Sequence, residues 1–129
     1  MARILVIDDE KDITLVLKKA LELDGFTVDT YISPEEALDH FKPDYYDLII
    51  TDIRMPAISG FEVYRRVRKL DGKVKVAFMT AFEIYDGEFK KVLPSIDTKY
   101  FFKKPIHLNT LIQRVKEALG EDFTMSLVE

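Results

Sequence analysis

The sequence predicts an α/β fold in which a parallel sheet is covered by helices on both faces. Five short apolar runs recur along the 129 residues, and segments with helical periodicity separate them. The runs are apolar at consecutive rather than alternate positions, which is typical of strands buried on both faces of a sheet. Because strands and helices alternate along the chain, we expect right-handed crossovers between parallel strands.

The five apolar runs are assigned as strands. They span residues 4–7, 28–31, 48–51, 74–79 and 100–102. None approaches the roughly 20 apolar residues that a membrane helix requires, and the N-terminal run is too short for a signal peptide. We therefore expect no contact with a membrane and a cytoplasmic location.

The segment from 11 to 24 predicts the first helix, which ends at Asp24-Gly25. Spacings of three and four bring to its core face the residues Ile13, Val16, Leu17, Ala20 and either Leu23 or Asp24. We expect the opposite, solvated face to carry Lys11, Lys18, Lys19 and Glu22.

Four further segments predict helices. Ser33 is a typical N-cap, and Pro34 suits the first position of the helix that follows it. The third predicted helix spans 60–70, and the fifth spans 108–119 with one continuous apolar stripe. The fourth, over 83–93, has a weaker pattern and ends before Pro94.

Composition indicates one globular domain that carries no excess of positive charge to attract nucleic acid. The chain is 47% apolar, its formal net charge is -4, and it contains no cysteine. These values exclude a disulfide scaffold and a thiolate metal site, and they argue against direct nucleic-acid binding. We expect a domain over residues 1–120, with 121–129 as a C-terminal tail or the start of a linker.

Polar residues follow the predicted strands and therefore meet at one edge of the sheet. Asp8 and Asp9 follow the first strand, Asp52 the third, Thr80 the fourth and Lys104 the fifth. Neighbouring carboxylates raise one another's pKa unless a cation neutralises them. An open acidic site of this kind suits Mg²⁺ or Mn²⁺, and a carboxylate beside positive charge has what phosphoryl transfer requires.

Four motifs carry a family resemblance that spans residue 3 to about 119. They are Ile7-Asp8-Asp9-Glu10, Asp52-Ile53-Arg54-Met55-Pro56 with Gly60, Met79-Thr80-Ala81, and Phe101 with Lys104-Pro105. In these residues the chain resembles the receiver domain of response regulators in two-component signalling. The resemblance implies a flavodoxin-like doubly wound (βα)5 fold with a five-stranded parallel sheet in the order 2-1-3-4-5.

The resemblance also implies a role for each site residue. Asp52 would accept a phosphoryl group from a histidine kinase, a phosphotransfer protein or a small acyl phosphate. The metal ligands would be Asp8, Asp9, Asp52 and the backbone carbonyl of Arg54, with Asp8 acting through water. Lys104 would pair with the phosphoryl oxygens, Thr80 would hydrogen-bond to them, and Phe101 would rotate inward.

That movement would change the surface formed by the fourth helix, fifth strand and fifth helix. The changed surface would control a downstream target protein, and the same face could form a homodimer. The family's usual Gly-Ala pair before the fifth strand is missing here, which puts the placement of the fourth helix in question. Phe101 lacks the hydroxyl of the tyrosine often found at its position, so packing alone would hold it inward. The resemblance also implies that Arg54 and Phe82 flank the path of the hydrolytic water, so we expect slow autodephosphorylation.

Other interpretations stay open at this point. The acids at 8–10 also suit a helix N-terminus, and Asp52 also suits a turn. The chain is alternatively a receiver-like interaction module that works without phosphorylation, or the receiver part of a longer regulator or hybrid kinase. An enzyme acting on other molecules is not expected, because the chain lacks the phosphate loop, the dinucleotide turn and the nucleophile elbow.

Overall fold

The computed structural model describes residues 2–81 and 101–120, and a five-stranded parallel sheet organises them. The strands are β1 (Arg3–Ile7), β2 (Thr27–Tyr31), β3 (Leu48–Asp52), β4 (Lys75–Thr80) and β5 (Phe101–Lys103). They lie in the order β2-β1-β3-β4-β5, and all four neighbouring pairs are parallel. The predicted fold class and strand order are confirmed.

Helices follow four of the strands along the described part of the chain. They are α1 (Lys11–Leu23), α2 (Pro34–His40), α3 (Gly60–Leu70) and α4 (Leu108–Ala118). The helix α4 is the fifth helix that the sequence predicts. The fourth predicted helix, over 83–93, and the predicted tail, over 121–129, lie outside the described residues.

The strands β1 and β2 end where the sequence predicts, whereas β3, β4 and β5 each end one residue later. Asp52 and Thr80, predicted to follow their strands, are instead the last residues of β3 and β4. The reason is that the backbone ladder continues through them, since Asp52 pairs with Met79 and Thr80 pairs with Lys103. Both side chains therefore start from rigid strand backbone rather than from a loop.

The helix ends follow the capping chemistry of the sequence. The predicted cap Ser33 accepts a hydrogen bond from the N–H of Glu36, and Ser59 caps α3 in the same way. At the end of α1, Gly25 has a φ of 96°, a left-handed conformation that glycine adopts without strain.

The core consists of two layers, one on each face of the sheet. In the central strand β1, Leu5 and Ile7 pack into one layer, while Ile4 and Val6 pack into the other. The first layer lies under α2 and α3, and the second lies under α1 and α4. The consecutive apolar residues of the sequence thus serve two cores, as a covered parallel sheet requires.

The predicted core face of α1 is wrong in part. Val16 is 51% exposed and Leu23 is 82% exposed, whereas the buried residues are Thr14, Leu17 and Leu21. Thr14 tolerates burial because its hydroxyl donates to the carbonyl of Lys11 at 2.7 Å. The buried stripe is therefore rotated from the predicted one, and Lys18 reaches the sheet instead of facing only solvent.

Within the residues that the structure describes, no helix is long and apolar enough to span a membrane.

Candidate functional site

The carboxyl ends of the strands bring the predicted polar residues to one edge of the sheet. Asp8 follows β1 directly, Asp52 and Thr80 end their own strands, and Lys104 follows β5 directly. The backbone of Lys104 is tied to this edge, because its N–H donates to the carbonyl of Thr80 at 2.7 Å. The four residues stand on backbone that neighbouring strands hold in register.

Three carboxylates form a cluster at this edge. Asp8, Asp9 and Asp52 each offer one carboxylate oxygen, and these three oxygens all lie within 4.8 Å of one another. Asp8 is fully buried and Asp52 is 6% exposed, while Asp9 is exposed to solvent. The cluster is therefore open to solvent at Asp9 and shielded from solvent at Asp8 and Asp52.

Backbone amides orient the two buried carboxylates. Asp8 Oδ1 accepts the N–H of Glu10 at 2.8 Å, and Asp52 Oδ1 accepts the N–H of Ile53 at 2.9 Å. With one oxygen of each group used in this way, the Oδ2 atoms of both carboxylates approach Lys104.

Lys104 is the cation of the cluster. Its Nζ lies 2.9 Å from Asp8 Oδ2, 3.3 Å from Asp52 Oδ2 and 3.4 Å from Glu10 Oε2. The side chain is only 11% exposed, and the peptide bond between Lys104 and Pro105 is cis. The contact with Glu10 was not among the predicted site contacts. It arises because Glu10 directly follows Asp8 and Asp9 in the sequence.

Burial and a neighbouring opposite charge shift the pKa of Asp8, of Asp52 and of Lys104 in opposite directions. Burial raises the pKa of Asp8 and of Asp52, and the positive charge of Lys104 offsets only part of that rise. Burial lowers the pKa of Lys104, but the carboxylates, above all Asp8, outweigh it and leave that pKa raised. One ammonium thus stands against three or more acids, and the cluster has an excess of negative charge.

The donor set fits a hard divalent cation. Asp8 Oδ2 is buried and, apart from its ion pair with Lys104, accepts no hydrogen bond within the described residues. A cation beside it would satisfy this oxygen and neutralise the excess charge. Mg²⁺ prefers carboxylate oxygens and retains several waters, which suits a cluster open at Asp9.

The other predicted site residues lie around the cluster. Thr80 is buried at the end of β4. Phe101 is half-buried, and its ring stacks on Phe78 with 5.1 Å between centroids. Arg54 is exposed in the loop after β3, and its proposed carbonyl ligand stays a prediction. Phe82 lies outside the described residues.

Two features of the loop between β3 and α3 were missed from the sequence. A Cβ on Gly60 would lie 2.3 Å from the backbone oxygen of Asp52, so only glycine fits there. Ala57 has a φ of 70°, and Ile58 N–H donates to Pro56 O across it at 2.8 Å. The position of Gly60 in the motif gave a signal for the first feature, but alanine gives none for a positive φ.

Comparison with known proteins agrees with this geometry. The family model for the response regulator receiver domain matches residues 4–116. Response regulator receiver protein CpdR of Brucella abortus is 32% identical over 119 residues, which cover 92% of this chain and 98% of that protein. The uncharacterized transcriptional regulatory protein YkoG of Bacillus subtilis is 31% identical over 94% of this chain and 52% of its own length. The chain spans about half or less of the length of several such regulators.

Solved structures show the same likeness. A CheY-like receiver domain protein from Methanospirillum hungatei superposes with a TM-score of 0.82 at 26% identity, covering 94% of this chain and 95% of that one. Response regulator protein TrrA from Thermotoga maritima, solved in complex with Mg(2+)-BeF, has a TM-score of 0.71 at 33% identity, covering 92% and 99%.

Proposed function

The chain belongs to the response regulator receiver domain family, and we propose that it is a switch in which Asp52 accepts the phosphoryl group. Receiver domains of two-component systems act in general as phosphorylation switches that interact with histidine kinases and downstream targets. The observation that carries the assignment to Asp52 is its contact with Lys104 inside the acidic cluster. Asp8 also has an anchored Oδ1 and an Oδ2 facing the ammonium, but its side chain is fully buried, whereas that of Asp52 is 8% exposed and so open to a phosphodonor.

The transfer is an in-line displacement at phosphorus. A carboxylate oxygen of Asp52 forms the new P–O bond while the P–N bond of a phosphohistidine breaks, and the departing imidazole nitrogen keeps the electron pair. With a small acyl phosphate the breaking bond is P–O, and a carboxylate leaves. No general base is required, because the nucleophile is already ionised.

Positive charge lowers the barrier in this proposal. The Lys104 ammonium stands beside Asp52 and can pair with phosphoryl oxygens as negative charge develops on them. Asp8, Asp9, Asp52 and the carbonyl of Arg54 would hold Mg²⁺, which supplies further neutralisation of the phosphoryl group when bound. In this scheme the chain catalyses only its own phosphorylation and dephosphorylation.

The output step uses Thr80 at the end of β4 and Phe101 at the start of β5. After phosphorylation, Thr80 would hydrogen-bond to the phosphoryl group, and Phe101 would pack further inward against Phe78. Because Arg114 of α4 donates to the carbonyl of Phe101, a movement of that residue also reaches α4. The changed surface would serve a downstream target or a homodimer, with the cytoplasm as the expected location.

The experiment is phosphorylation by acetyl phosphate in the presence of Mg²⁺, followed by intact-mass measurement. We expect one added phosphoryl group on the wild-type chain and none on Asp52→Asn. A matched control is Asp12→Asn, which removes an exposed carboxylate from the start of α1 outside the acidic cluster. This control should label like wild type, and a chelator should stop labelling in both.

Two results contradict the proposal. If the wild-type chain takes up no phosphoryl group from either acetyl phosphate or a set of phosphorylated histidine kinases, the chain is a phosphorylation-independent interaction module. If Asp52→Asn still labels to the same extent as wild type, the acceptor is another residue.

A further inference from the structure

The outer edge of β2 carries backbone groups that face away from the rest of the sheet. β2 is the last strand on its side. The N–H of Thr27 donates to Ala2, and the carbonyl of Tyr31 accepts from the residue that follows β1. Since backbone direction alternates along a strand, the N–H and C=O groups of Val28 and Thr30 face outward. Such an edge is a template for an added strand.

A lysine from α1 occupies one of these outward groups. Lys18 Nζ donates to the carbonyl of Val28 at 2.7 Å and also lies 3.2 Å from Glu22 Oε2. An N–H of an added strand would need the same carbonyl oxygen. Lysines at sheet edges commonly prevent such pairing, and here the ammonium fills the acceptor itself.

Exposed apolar side chains flank this edge. Leu15 lies one turn before Lys18 on the same side of α1 and is 50% exposed, and Ile32, which directly follows β2, is 51% exposed. An added strand would cover apolar surface here in addition to forming hydrogen bonds.

We propose that the outer edge of β2 is a pairing surface for a second copy of this chain, and that Lys18 keeps it closed by occupying the carbonyl of Val28. An antiparallel pair of two β2 strands related by a two-fold axis is self-complementary, since each outward residue offers one donor and one acceptor. With the axis at Thr30, the Thr30 residues of the two copies pair with each other. In that register the carbonyl of Val28 accepts the N–H of Ile32 of the second copy.

This register is favoured over the one centred on Asp29. A two-fold axis at Asp29 would place two carboxylates directly opposite each other, which destabilises a strand pair. The register centred on Thr30 places Asp29 opposite Tyr31 of the second copy instead. Both registers use the carbonyl of Val28 that Lys18 holds, so release of Lys18 and pairing are coupled in either one.

The test is the self-association of variants of the 129-residue chain, measured by sedimentation equilibrium over a range of concentrations. We expect Lys18→Ala to associate about tenfold or more tightly than wild type, because the Val28 carbonyl is then available to a second copy. Lys19→Ala is the matched control, since it removes an exposed lysine from the same helix. Lys18→Arg keeps a donor and should behave like wild type.

A blocking variant shows whether the association uses β2. Thr30→Pro removes an outward N–H that the pairing with β1 does not use, so in the Lys18→Ala background it should abolish the dimer. Lys18→Met serves in place of Lys18→Ala if that variant does not fold. The proposal is wrong if Lys18→Ala or Lys18→Met associates no more tightly than wild type, if Lys19→Ala has the same effect, or if Thr30→Pro leaves the dimer intact.

Discussion

The backbone oxygen of Asp52 lies against the α-carbon of Gly60 so closely that a Cβ at position 60 would stand 2.3 Å from it. The amide of Gly60 also donates to the carbonyl of Ile53 at 2.8 Å. The start of α3 is therefore packed directly on the backbone of the residue that we propose as the phosphoacceptor. A change in the position of either one must displace the other.

Gly60→Ala should lower the free energy of unfolding by about 3 kcal/mol, because backbone on both sides of the contact must move. Urea unfolding followed by circular dichroism measures the loss as a lower midpoint with an unchanged slope. Gly72→Ala is the control, since a Cβ there meets nothing within 4 Å and its φ is not positive. Equal midpoints for the two variants would mean that the close contact with Asp52 does not constrain the loop.

Ala57 is strained where glycine would not be. Its φ of 70° is costly for a residue with a Cβ, so Ala57→Gly should raise the free energy of unfolding by about 0.5 to 1 kcal/mol, after the greater entropy of the unfolded chain is subtracted. Asp44 also has a positive φ, of 60°, but aspartate tolerates this region, so Asp44→Gly should change little. Thermal unfolding of both variants beside wild type checks the difference, and a destabilised Ala57→Gly would contradict the assigned strain.

Asp71 predicts a pH dependence of stability. Its carboxylate is buried and accepts backbone N–H groups from Asp44, Lys73 and Val74, which with the nearby charge of Arg68 hold its pKa below the ordinary value. Because the pKa is lower in the folded chain than in the unfolded one, the stabilisation is present above the unfolded pKa. It is lost as the pH falls through the folded pKa.

Asp71→Asn keeps an oxygen for Lys73 and Val74 but cannot accept the N–H of Asp44. We expect its free energy of unfolding to be about 2 kcal/mol lower than that of wild type at pH 7. This difference between the two proteins should narrow below about pH 4. Asp39→Asn, at an exposed position of α2, is the control. Urea midpoints measured from pH 3 to pH 7 decide the point, and a gap that does not change with pH would show that the charge of Asp71 has no part in it.

Local patterns predicted most of this molecule, and the misses have a common physical cause. The parallel sheet and the edge that carries Asp8, Asp52 and Lys104 follow from alternation and from the geometry of parallel sheets, whereas the order of the strands was implied only by the resemblance to receiver domains. The positive φ of Ala57 and the contacts of Lys18 depend on how distant segments meet. The type of a single residue does not predict such contacts between distant segments. The rotated core face of α1 was missed for the same reason.

The lifetime of the phosphorylated form tests the roles predicted for Arg54 and Phe82. Arg54 is exposed two positions after Asp52, and we predict that Arg54→Ala and Phe82→Ala each hydrolyse the aspartyl phosphate faster than wild type by admitting water. The decay of labelled protein, followed by intact mass after removal of acetyl phosphate, measures each rate. Arg65→Ala changes an exposed arginine on α3 and should decay like wild type. Unchanged rates for both Arg54→Ala and Phe82→Ala would mean that neither side chain obstructs the water.

Lys104→Met should separate the two uses of positive charge at the acidic cluster. The ammonium neutralises Asp8 and Asp52 and would repel a Mg²⁺ ion held by them, so its removal should let Mg²⁺ bind several-fold more tightly. The same change removes the cation that would pair with phosphoryl oxygens, so phosphorylation by acetyl phosphate should slow by about tenfold or more at saturating Mg²⁺. Calorimetric titration with Mg²⁺ and the rate of mass increase measure the two effects independently.

Lys103→Met is the matched control for that pair of measurements, because Lys103 is the preceding residue and is exposed. It should leave both the affinity for Mg²⁺ and the labelling rate close to wild type. Weaker binding of Mg²⁺ by Lys104→Met would mean that Lys104 orients the carboxylates more than it competes with the cation. Tighter binding with an unchanged labelling rate would remove Lys104 from the transfer step and leave neutralisation of the phosphoryl group to the metal alone.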